Sequence, residues 1–440
     1  MKLSDMAKVK VYYFSPTGGT LQVVRHLAET LGRMLHAEVE YHSYTLPRER
    51  EELPQFNAED IVLWATPVYA GRIPNKTIDY VRNAIRANGN RSVALVTFGN
   101  RAYDNALAEL VDLMENGGMN PVGAAAMVTR HSFSDTLGAG RPNEEDLAAL
   151  NRFAEQVATK ISTFNHQFSI LKVPGEAHPE KYYTPLKTNN APAGFLKAKP
   201  SCNPDRCTRC GKCVEICPME SISSKDGIPT FDGICIKCQA CRRICPTEAL
   251  AFTDPEYLSH VAMIERTFAS PKQPEFFCSE TVQFRQIRTD EITLLDDFLY
   301  EAIFIPEGVA APPRSIIENE DLQVYVRDFG RQPDDRCLVA ECDGKVVGAV
   351  WTRVMNDYGH IADGIPSLAM SLYKEYRNKG IGTALLEQML QLLRKDGYRQ
   401  VSLSVQKANY AVRMYRKVGF EVMNETDEEY LMVCNLDMKI

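Results

Sequence analysis

The chain of 440 residues contains no uninterrupted apolar run of eighteen, so no membrane-spanning helix is expected. It has no basic run, and 50 Lys and Arg against 57 Asp and Glu leave a net charge of −7. Neither nucleic acid nor an anionic membrane is therefore expected as the main partner. The first strand pattern starts almost directly after Met1, which leaves no signal peptide and makes a cytoplasmic location the expectation. Five of the 13 cysteines, Cys202, Cys278, Cys337, Cys342 and Cys434, lack framework spacing and read as reduced thiols. The length exceeds one ordinary core and indicates about two to four domains.

The other eight cysteines form a repeat. Cys207-x-x-Cys210-x-x-Cys213-x-x-x-Cys217-Pro218 recurs as Cys235-x-x-Cys238-x-x-Cys241-x-x-x-Cys245-Pro246. Four thiolates also suit zinc, but triplets at two-residue gaps followed by Cys-Pro, twice, are not zinc spacing. The repeat resembles the two-cluster bacterial ferredoxins, in which three close thiolates hold one [4Fe–4S] cluster and the fourth reaches across to the other. That resemblance assigns Cys207, Cys210, Cys213 and Cys245 to one cluster, and Cys235, Cys238, Cys241 and Cys217 to the second.

In the N-terminal third, residues 9–14, Val-Lys-Val-Tyr-Tyr-Phe, read as a buried strand that runs into Ser15-Pro16-Thr17-Gly18-Gly19-Thr20 and then a helix with Val24, Leu27, Ala28 and Leu31 on one face. Strand, glycine loop and helix form an anion-binding arrangement. No Walker lysine or G-x-G-x-x-G follows, which disfavours a nucleoside triphosphate or dinucleotide. Strands near 60–66, 91–98 and 121–129, alternating with helices near 75–87, 103–116 and 144–163, predict a doubly wound parallel sheet. Loops 66–72 and 97–103 fall at the ligand-binding ends of its strands. Residues 8–165 thus resemble a flavodoxin. The resemblance implies FMN, with Ser15, Thr17, Gly18, Gly19 and Thr20 on its phosphate and Tyr69, Gly71, Gly99 and Tyr103 against its ring. A packed linker at 168–200 joins this part to the cysteine repeat, as in the flavodoxin–ferredoxin fusions of anaerobes.

The C-terminal third places Arg377-Asn378-Lys379-Gly380-Ile381-Gly382-Thr383 between a strand at 368–373 and a helix ending near Gly397. Gly380 and Gly382 expose N–H groups at a helix start, with Arg377 and Lys379 adding positive charge suited to a pyrophosphate. With Asn409-x-Ala411 and Tyr415-x-x-x-Gly419-Phe420 downstream, the segment resembles the GNAT-superfamily N-acetyltransferases. The resemblance implies acetyl-CoA held by Arg377, Lys379, Gly380, Gly382 and Thr383, with Leu372 along the pantetheine arm, Asn409 nearby and Tyr415 as general acid. Candidates for the base that receives the amine's proton are Glu341, Asp357 and His360.

The expected architecture is multidomain α/β and α+β: a flavodoxin-like doubly wound sheet over 1–165, a linker and two-cluster ferredoxin fold over 166–277, and a GNAT fold over 283–440. The expected function is electron transfer between FMN and two [4Fe–4S] clusters, working with redox partner proteins, joined to acetyl transfer from acetyl-CoA to an amine. The alternative makes the redox part a sensor or docking module for the acetyltransferase.

Overall fold

The computed structural model describes residues 7–163, 168–306 and 308–437. It divides into two compact units, Met1–Asn165 with Leu171–Ser279, and His166–Ile170 with Glu280–Ile440.

The first unit starts with β1 (Lys8–Tyr13), α1 (Gly19–Leu35), β2 (Glu38–Ser43), β3 (Ile61–Pro67), α2 (Ile78–Ala84), β4 (Arg91–Phe98), α3 (Ala106–Asn116), β5 (Asn120–Val128) and α4 (Glu144–Thr163). The five strands are parallel in the order β2-β1-β3-β4-β5. β3 and β4 are apolar along almost their whole length because both faces are covered. α1 and α4 close one face over Val24, Leu27, Leu31 and Phe153, while α2 and α3 close the other over Trp64, Val96 and Leu110. Strand order reverses between β1 and β3, and a doubly wound sheet opens its ligand crevice at that point.

The chain then contributes one strand, β6 (Phe168–Ile170), to the second unit and returns with β7 (Ser201–Cys202), α5 (Lys212–Glu215), β8 (Ser223–Lys225), β9 (Ile228–Thr230), α6 (Ala240–Ile244), β10 (Leu250–Ala251) and α7 (Pro255–Thr267). The Asp254 carboxylate accepts the Tyr257 N–H at 2.9 Å, and Pro255 opens α7, the residues that start a helix. After α7, β11 (Glu275–Cys278) pairs antiparallel with β5 and becomes the edge of the first sheet. The expected boundary at 165/166 therefore separates no compact unit: the cysteine-bearing segment folds against the parallel sheet and then adds a strand to it.

The second unit contains β12 (Glu280–Gln286), α8 (Leu294–Ala302), α9 (Glu320–Gln323), β13 (Arg336–Cys342), β14 (Lys345–Arg353), β15 (Ser367–Leu372), α10 (Ile381–Lys395), β16 (Gln400–Gln406), α11 (Ala411–Lys417), β17 (Phe420–Glu425) and β18 (Glu429–Asn435). Its sheet runs β17-β18-β16-β15-β14-β13-β12-β6. β15 and β16 are parallel neighbours joined at Ser367↔Ser402 alone, after which they part. α10 and α11 pack on one face, and α8 with Val326 and Phe329 packs on the other. The main segment of the unit begins at Glu280, the first residue of β12, three residues before the expected start at 283.

Candidate functional site

Two cavities in the first unit are lined by the repeat. One has Cys207, Cys210, Cys213 and Cys245 in its wall; the other has Cys217, Cys235, Cys238 and Cys241. The fourth cysteine of each motif thus turns toward the other motif's triplet. Among the described residues no disulfide forms, and no group of three His, Cys, Asp or Glu is placed to hold a metal ion. Backbone N–H groups of Ser221, Lys237 and Ala249 donate to the sulfurs of Cys217, Cys235 and Cys245 at 3.4, 3.4 and 3.2 Å. Burial pushes the Cys238 thiol far up and the Cys241 thiol up to about 12, so thiolates there require a cationic centre to stabilise them. Four sulfurs per cavity, with backbone donors aimed at three of the eight, fit a [4Fe–4S] cluster in each.

At the carboxyl end of β1, Gly18 has φ +87° and stands at the start of α1, with nothing within 4 Å of where a Cβ would project. Thr17 is exposed beside it. The Ser15 hydroxyl accepts the Leu21 N–H at 3.0 Å and keeps its own proton to donate. Thr20 is buried, its hydroxyl 2.8 Å from that of Thr97, so it braces the start of α1 to β4. The loop retains an open helix start flanked by hydroxyls, a fit to a phosphate.

The four expected ring contacts separate. A Cβ on Gly71 would meet Asp104 at 2.2 Å and one on Gly99 would meet His131 at 2.4 Å, so both glycines answer to neighbouring protein. Tyr103 departs from the expectation: it is 7% exposed in the apolar core, and its hydroxyl donates to Glu275 on β11 at 2.7 Å. Tyr69 remains half-buried at the crevice, edge-on to Phe14 at 6.5 Å. Burial, with Cys238 and Cys235 nearby, holds its phenol well above the ordinary range. Two linker residues lacked any sequence signal. Tyr183 donates its N–H to the Ala70 carbonyl at 2.8 Å, and Tyr182 lies under the Arg72 guanidinium at 4.5 Å, so the linker covers the 69–72 turn.

In the second unit, the parting of β15 and β16 opens a wedge beside the start of α10. Gly380 takes φ +78° and Asn378 φ +58°, turning the chain so that α10 begins with no side-chain cap. A Cβ on Gly382 would come within 3.2 Å of the Leu372 side chain, so the helix start lies close against β15. Lys379 is half-exposed, as is Thr383. Arg377 is engaged: its Nε donates to the Leu372 carbonyl at 2.8 Å and its Nη2 to the Glu301 carboxylate at 2.6 Å, which ties the loop to β15 and α8. The Asn409 side chain caps α11 by accepting the Ala411 N–H at 2.9 Å. Tyr415 is 8% exposed and edge-on to Phe420, and burial holds its phenol protonated far above neutral pH.

Glu341 is not placed as a base. Its carboxylate is held by Arg285 across the β12–β13 ladder, in a network with Glu291 and Arg288. Asp357 accepts hydrogen bonds from Tyr325 and Ser367, both at 2.6 Å, and His360 Nδ1 lies 3.1 Å from the Met355 carbonyl. Glu341→Gln is therefore expected to lower stability by about 1–2 kcal/mol without changing acetyl-CoA affinity, which thermal unfolding and calorimetric titration check together. The same network predicts acid sensitivity. The hydrogen bond from Arg285 lowers the Glu291 carboxyl to about 2, against roughly 4.3 when unfolded. A depressed carboxyl stabilises the fold above the unfolded value and loses that contribution as pH falls. The melting temperature should thus fall between about pH 4.5 and 2, less steeply in Glu291→Gln, as calorimetry at stepped pH would register.

Residues 303–420 match the acetyltransferase (GNAT) family, and residues 195–250 match the 4Fe-4S dicluster domain. An N-alpha-acetyltransferase of Sulfurisphaera tokodaii is 30% identical over 116 residues, covering 22% of this chain and 68% of that protein. N-acetyltransferase family 8 member 3 of Mus musculus is 32% identical over 94 residues, 21% of this chain and 42% of that one. The crystal structure of PaiA N-acetyltransferase from Thermoplasma acidophilum with coenzyme A aligns at 19% identity and a TM-score of 0.29, over 35% of this chain and 98% of that one. The chain spans about two fifths of the length of the mouse relatives it matches. No helix among the described residues is long and apolar enough to cross a membrane.

Proposed function

We propose a two-part function from one premise: the C-terminal part of this chain belongs to the acetyltransferase (GNAT) family. The second unit transfers an acetyl group from acetyl-CoA to an amine, and the first unit carries electrons through two [4Fe–4S] clusters and an FMN. The observation that carries the redox half is the pair of cavities, each walled by four cysteines drawn from both motifs. FMN rests on the parallel strand order and the open helix start at Gly18, where Ser15, Thr17 and Gly19 would receive the phosphate and Tyr69 the ring edge.

Bound clusters exchange single electrons and bound FMN one or two, so such a chain matches one-electron to two-electron carriers. The residues supply the setting: Ser221, Lys237 and Ala249 donate to cluster sulfurs, and Tyr69 and the linker exclude water from the crevice edge. In the wedge, Lys379 and the N–H groups from Gly380 to Thr383 would bind the pyrophosphate, while Arg377 fixes the loop. Tyr415 keeps its proton available for the leaving thiolate. The chemistry of the acceptor is a neutral primary amine, and the archaeal relative's name makes a protein α-amine the first to try.

The test is thiol release from acetyl-CoA with free-N-terminus peptides and with polyamines, on anaerobically prepared full-length protein whose clusters are reduced with dithionite while flavin absorbance is followed. Thiol release with an amine and flavin bleaching support the two halves separately. No release with either amine class counts against the first half, and unbleached flavin against the second.

A further inference from the structure

The two cysteine cavities differ in their surroundings. Around the cavity of Cys217, Cys235, Cys238 and Cys241, both Cys238 and Cys241 are buried, and so are Lys237, Gln239 and Ala240, while Gly233 and Ile234 in the same wall are exposed. Ile236 packs into the apolar cluster that also holds Val68 and Tyr69 of the β3 loop. The Pro218 carbonyl, next to Cys217, accepts Arg50 Nη2 at 3.1 Å, and Arg50 Nε donates to the Tyr44 carbonyl at 2.8 Å just after β2. Lys237 Nζ donates to the Cys235 carbonyl at 3.0 Å, closing the motif on itself. On this side the motif lies against the β3 loop and Arg50.

The other cavity faces outward. Cys210 is exposed, Cys207, Cys213 and Cys245 are half-buried, and Thr208, Arg209 and Lys212 in the same wall are exposed.

We infer that the two sites have divided roles, the Cys207–Cys210–Cys213–Cys245 site being the port for an external one-electron carrier protein and the other an inner station serving the β3 loop. The inference rests on the cluster reading above. In the inward direction the carrier loses one electron and the outer site gains it; the outer site then loses one electron as the inner site gains it. No bond forms or breaks and no proton moves. Electron exchange favours the site of the exposed Cys210 because an outside carrier can approach that sulfur, whereas Cys238 and Cys241 of the inner site are buried and Ile236 beside them packs with the β3 loop.

Iron content of anaerobic full-length holoprotein comes first. Fewer than about eight irons per chain would remove the cluster reading and this inference with it. With about eight, iron release to bathophenanthroline disulfonate is expected in two phases of about four irons each, and Ile236→Ala should speed only the slow phase. A single phase, or a faster fast phase in Ile236→Ala, overturns the assignment of inner and outer sites. The port is tested with dithionite, whose active radical is an anion. Arg209→Glu with Lys212→Glu should slow its second-order reduction of the clusters about five-fold at low salt, and an unchanged rate overturns the port.

Discussion

Replacing Cys245 by alanine is expected to empty the cavity of the first motif while leaving the second motif's triplet occupied. Cys245 belongs by sequence to the second motif, yet it lines the cavity of Cys207, Cys210 and Cys213, and the Ala249 N–H holds its sulfur in place at 3.2 Å. Removing one thiolate of four leaves an open iron and an incomplete site, so iron should fall from about eight to about four per chain. The crossing is read from pairs of substitutions. Cys210→Ala with Cys245→Ala should lose no more iron than either alone, because both strip the same cluster. Cys238→Ala with Cys245→Ala should lose nearly all of it. Retention of about four irons by that second pair would mean that each motif holds its own cluster.

Gly380→Val is expected to weaken acetyl-CoA binding by about 100-fold, close to 2.7 kcal/mol. Gly380 sits at φ +78°, where an L-residue costs roughly 1–2 kcal/mol and a β-branched one more. Relaxing that strain rotates the peptide units that open α10, and each misdirected N–H forfeits a bond of about 1 kcal/mol to the pyrophosphate. The helix itself should persist, because Ile381, Leu385, Leu386 and Met389 anchor it to the sheet. Unchanged circular dichroism with lost binding is the expected result; unchanged binding would place the pyrophosphate elsewhere.

What could be read from the chain follows what depends on local pattern. The cysteine triplets at two-residue gaps declare their chemistry because three ligands of one cluster come from one turn of chain. β3 and β4 are legible because a strand covered on both faces must be apolar along its length, and the α10 start is legible because Gly380 and Gly382 serve a local turn. The features that escaped depend on distant partners. Nothing near Glu275 announces that β11 will return to β5, or that its carboxylate will take up the Tyr103 hydroxyl. Glu341 looked available until the fold set Arg285 diagonally across the ladder from it. Gly71 and Gly99 looked like ligand contacts because close approach by Asp104 or His131 leaves the same mark on a sequence as close approach by a ring. Tyr182 and Tyr183 carried no signal because irregular chain has no period to read.

The most direct measurement is iron, acid-labile sulfide and flavin per chain on full-length protein purified without oxygen. About eight iron, eight sulfide and one FMN is the predicted result. Bound zinc, or cysteines that bind no metal together with a chain that holds no flavin, would contradict the redox half and leave acetyl transfer as the activity that the family membership supports.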